Sequence, residues 1–95
     1  MEKMIEIKPE FNGKFCLQTY PNGQMAVFYK DFYNLPIAEL SLMDNSVELE
    51  SNEFILKDYS ENLDLIENLL NHKIIVPTGR FALIEGHICP ICTLF

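Results

Sequence analysis

An α+β domain, with a mainly antiparallel sheet of about five to six short strands and one helix (about 60–72) packed on one face, is what the residue pattern predicts. Three observations carry this. "FCLQTYPNGQMAVFY" holds two alternating runs around Asn22-Gly23, a hairpin signal. Apolar alternation with period two continues through much of the remaining chain. The period changes to a helical one only once, in "DYSENLDLIENLLNHK", so no strand–helix–strand repeat implies a parallel sheet.

In chain order, Phe15 to Tyr20 and Gln24 to Lys30 are the hairpin strands. Phe15, Leu17 and Thr19 share one face, as do Met25, Val27 and Tyr29. Asn22 and Gly23 both tolerate positive φ, so a two-residue type I′ turn is expected between them. "KDFYNLP" breaks the pattern, and "IAELSLM" resumes it with Ala38, Leu40 and Leu42 on one side and Glu39 and Ser41 on the other. "VELE" alternates again, and "EFILK" reads as a further strand or as the second half of a bulged one. Tyr59, Leu63, Ile66 and Leu70 then recur at helical spacing, with Asp58 or Ser60 as the cap and His72 and Lys73 at the negative end. "KIIVP" is a short strand or extended arm, ended by a turn at Pro77-Thr78-Gly79. "FALIE" and "HICPICTLF" are strands separated by Gly86.

Ninety-five residues make a single domain, 1–95, and 48% hydrophobic content suffices for a core. A domain this small leaves much surface exposed, so a homodimer or another partner is a natural source of added stability. The first ten residues lack the apolar middle of a signal peptide, and no run is long enough to cross a membrane. A cytoplasmic location without membrane contact is the expectation. Three cysteines, an odd number, read as reduced thiols.

Net charge is −7, and its distribution is uneven. Between positions 31 and 67 ten acids face Lys57 alone, leaving −9 in that segment. Direct nucleic-acid binding is disfavoured, because phosphate contacts need clustered Lys and Arg. A basic protein partner is favoured. Glu39, Glu48, Glu50, Glu53, Glu61, Asp64 and Glu67, with the loop aromatics Phe32 and Tyr33, form the expected partner-binding set. Solvated surface, or for the aromatics a cap on the core, is the plainer account of the same residues. Arg80, the one arginine, is expected to pair with an acid.

"HICPIC" raises zinc as the alternative, with His87, Cys89 and Cys92 as ligands of a small interaction module. An extended segment would point His87 and Cys89 one way and Cys92 the other, so two buried thiols acting as small apolar residues fit better. No cofactor is expected. Catalysis is not expected either, because no base, orienting group or oxyanion donors accompany Cys89 in sequence.

The stretch "ILKDYSEN…LLNHKIIVPTGR…EGHICPICTLF", with a looser echo in "NGQMAV" and "PIAELSL", resembles a family of small bacterial accessory proteins carried by plasmids, conjugative elements and phages. "KDYSEN", "PTGR" and the terminal "PIC" carry the resemblance, which supplies no activity and no site residues. It implies a mobile-element accessory role. Joined to the acidity, it suggests a non-enzymatic inhibitor of a host nucleic-acid-handling or defence enzyme, of anti-CRISPR or anti-restriction type, whose acidic face imitates a phosphate backbone.

Overall fold

Phe15, Leu17, Met25, Val27 and Tyr29 do share one face, and that face builds the main core. They lie on β2 (Gly13–Thr19) and β3 (Met25–Asp31), paired antiparallel with Phe15 opposite Tyr29 and Leu17 opposite Val27. The computed structural model describes residues 3–6, 13–31, 33, 35–59 and 63–94. β1 (Lys3–Glu6) and β4 (Pro36–Glu39) flank the hairpin, giving a four-stranded antiparallel sheet in the order β1-β2-β3-β4. β1 is a strand the residue pattern did not reveal, because "KMIE" is short and half charged. The hairpin turn differs from the expected type. Gly23 alone has positive φ (90°), Tyr20 N donates to Gln24 O, and Gly23 N donates to Tyr20 O. That is a three-residue loop closing on a left-handed glycine, with Pro21 setting its entry.

The second sheet is also antiparallel, in the order β5-β6-β8-β7: β5 (Ser41–Leu42), β6 (Glu53–Leu56), β7 (Ile75–Ile84) and β8 (His87–Leu94). One α-helix, α1 (Leu63–Asn71), stands between β6 and β7 in the chain. The α+β class therefore holds, with two four-stranded sheets among the described residues where one was expected. The division occurs at Leu40, inside the apparently continuous "IAELSLM". Its N–H donates to Val27 O in the first sheet, and its carbonyl accepts Lys57 N beside the second. The switch breaks the alternation: Leu40 enters the main core while Leu42 packs on the opposite side of the second sheet. Ser41, expected on the wet side, is fully buried. Its hydroxyl accepts Val27 N at 2.7 Å and bonds Tyr20 Oη at 2.9 Å.

Around β6 and the adjoining parts of β7 and β8, the second sheet is covered on both faces. Phe54, Leu56, Ile75 and Cys92 face the first sheet and α1 in the main core. Ile55, Ala82, Cys89 and Ile91 face the other way, under Leu42, Val47, Leu49, Tyr59 and Ile84. "VELE" is consequently not a strand. It belongs to a loop whose Val47 and Leu49 roof this smaller cluster. The helix buries Ile66 and Leu69, with Leu65 and Leu70 partly buried, and leaves Leu63 exposed at the margin of the stripe. Tyr59 lies outside the helix, on the smaller cluster. The expected start at residues 60–62, including the Ser60 cap, falls outside the described residues.

Two features shape β7 and β8. The turn expected at Pro77-Thr78-Gly79 is a bulge inside one long strand, where Thr78, Gly79 and Arg80 stand against Ile91 alone. Gly79 supplies the positive φ, and Thr78 Oγ1 donates to Ile91 O at 2.8 Å. The type I′ geometry sits instead at Glu85-Gly86, both left-handed, joining Ile84 to His87.

Candidate interaction surface

The acids that dominate positions 31–67 fall into two groups, those consumed inside the fold and those left in water. Glu53 is consumed. It is 7% exposed and receives Arg80 Nη1 at 2.8 Å and Glu50 N at 2.9 Å. The bulge makes this possible by turning Arg80 back across β8, where Nη2 also donates to Glu48 O. The Glu50 amide, the largest influence, acts with the Arg80 guanidinium to hold the Glu53 carboxyl below its ordinary range, against the opposing effect of burial. Glu53 is therefore an interior ion-pair partner, which corrects its place in the expected partner-binding set. Arg80 takes the acid pairing expected of it.

Glu39 is exposed but accepts the Tyr20 hydroxyl at 2.9 Å. Burial pushes the Tyr20 phenol up to about 12, opposed by its bond to Ser41 and aided by the Glu39 carboxylate. Asp31 Oδ1 accepts the amides of Tyr33 and Leu35, and Asp44 Oδ1 accepts the amide and hydroxyl of Ser46; both are turn braces. Asp31 leaves Tyr33 86% exposed, so this aromatic does not fold back onto the core, whereas Tyr29 does. Phe32 and Glu61 lie outside the described residues.

Glu48, Glu50, Asp64 and Glu67 remain exposed, with side chains that hold no hydrogen bond or ion pair among the described residues. They do not form one plane. Glu48 and Glu50 lie on the loop that roofs the smaller cluster, while Asp64 and Glu67 lie on the helix that closes the main core. The second sheet separates the two pairs.

The terminal His-Cys-Cys set is divided in the same way. Cys89 belongs to the smaller cluster and Cys92 to the main core, on opposite faces of β8. His87 stacks on Tyr59 with ring centroids 3.8 Å apart and planes 4° from parallel. One ion cannot reach both thiols and the imidazole in this arrangement. Burial, aided by Asp58, pushes both thiols up, Cys92 to about 12, which opposes thiolate chemistry. A shallow depression beside the first turn is lined mainly by amides and small side chains, with Glu50 its one carboxylate.

One surface escaped the sequence reading. Phe81, Leu83 and Ile88 are 64%, 71% and 67% exposed. Leu83 pairs with Ile88 and Phe81 with Pro90, so all four lie on one face of the β7–β8 hairpin. That face continues the main-core side of the second sheet, beyond the part that the first sheet and α1 cover. The available signal was "FALI", apolar at every position where a strand with one wet face would alternate.

The chain matches no family model, no curated protein and no solved structure.

Proposed function

We propose that the chain is a non-catalytic accessory protein that acts by binding a basic protein, and that the partner is an enzyme that handles nucleic acid or defends a cell against it. The observation that carries this reading is the charge balance. Fourteen acids stand against seven bases, and Glu48, Glu50, Asp64 and Glu67 are exposed and, among the described residues, uncommitted to internal pairs. Like charges left unpaired on a small domain raise a negative potential that steers a positively charged groove toward it. Their separation by the second sheet changes the form of the mimicry. A basic cleft would take one acidic side at a time, or close around both, instead of meeting a flat backbone-like strip.

The test uses a purified CRISPR effector and a restriction endonuclease as defined targets, with DNA cleavage as the readout. The expected result is inhibition that weakens at least about tenfold between low and high salt, as screening requires. Glu48→Lys with Glu50→Lys, and separately Asp64→Lys with Glu67→Lys, identify the contacting side by a comparable loss. Capture from a bacterial lysate at low and high salt extends the search to other basic targets. Salt-insensitive binding, or reversal variants that bind as well as the original chain, would overturn the reading.

A further inference from the structure

We propose that two copies of this chain pair face to face through Phe81, Leu83, Ile88 and Pro90, about a two-fold axis crossing the β7–β8 hairpin. The three exposed side chains present on the order of 400 Å² of contiguous apolar surface per copy, within the range where the largest patch of a small protein is functional. Two such faces, with the hairpin backbone around them, bury about 1,000 Å² or more in total, the lower bound for a specific interface. The flat side of an antiparallel hairpin also suits sheet-on-sheet packing at about 10 Å. A two-fold axis makes the contact closed, because each copy offers the same patch it receives.

Charge selects this occupant over the basic partner proposed above. From Phe81 to Pro90 the one acid is Glu85, in the turn, and His87 is stacked against Tyr59 on the opposite face. A cationic protein therefore finds almost no counter-charge here. A second copy brings an identical uncharged face, and the exposed acids Glu48 and Glu50 lie on the loop covering the opposite face of the second sheet, away from the contact.

Sedimentation velocity over about 5–300 µM reads the association. The expected result is a mass rising with concentration from 11.0 kDa toward twice that value. Higher salt should strengthen the dimer by screening repulsion between like-charged copies, the opposite of its effect on a basic partner, so failure of one proposal is distinguishable from failure of the other. Leu83→Glu and Ile88→Glu, each at an exposed position, should weaken association at least tenfold while circular dichroism and melting temperature stay unchanged. A single-copy mass at the highest concentration overturns the proposal. So does association that salt weakens, or that either substitution leaves intact.

Discussion

At the scale of single residues, Glu53 shows how a carboxylate in an acidic stretch becomes interior. Its neighbours Glu48 and Glu50 are chemically identical and exposed, and the local alternation assigns all three to a wet face. The difference comes from Arg80, 27 positions later, and from the Glu50 amide. A partner that distant leaves no trace in a short window, so the pairing of Arg80 with some acid was legible and the choice of Glu53 was not. The pairing has a pH consequence. A carboxyl whose folded pKa is depressed contributes its stability in full above the ordinary glutamate range near 4.3, and loses it as pH falls through the folded value. Glu53→Gln should therefore lower the urea midpoint at pH 7 and flatten its decline between about pH 5 and 3. Some slope should persist, because bonds from Ser46 also depress Asp44. Equal slopes in the variant and the original chain would remove Glu53 from the acid response.

At the scale of elements, strands and helix were readable because periodicity reports which side of an element is apolar. The turns were less so. Asn22-Gly23 carries the residue preference of a type I′ turn but forms another loop, while Glu85-Gly86 forms that turn with a residue poorly suited to it. Helix α1 ends similarly. Lys73 takes φ 57°, Ile74 N donates to Leu69 O and Lys73 N to Leu70 O, which is the Schellman arrangement with lysine where glycine is usual. A side chain at left-handed φ costs about 1 kcal/mol, and asparagine tolerates that region better than glutamate does. Lys73→Gly and Glu85→Asn should each raise stability by about 0.5–1 kcal/mol in urea titrations. A loss in either variant would show that the native side chain contributes contacts outweighing the relief of strain.

At the scale of the whole molecule, the α+β class and the single helix were legible, and the division into two sheets was not. Alternation identifies a strand's faces and says nothing about which strand lies beside it. Leu40 carries the division, fully buried and hydrogen-bonded toward each sheet. Because both sheets and α1 close on one core around it, the molecule should unfold as a unit. Leu40→Ala should cost about 3–4 kcal/mol, with far-ultraviolet dichroism and tyrosine fluorescence still changing together. Separate transitions for the two probes would mean that the sheets melt independently. The Thr78–Arg80 bulge has a different kind of consequence. A corrugated rim offers incoming polypeptides no regular template to copy, so this margin resists filament growth in a crowded solution and favours assemblies of finite size.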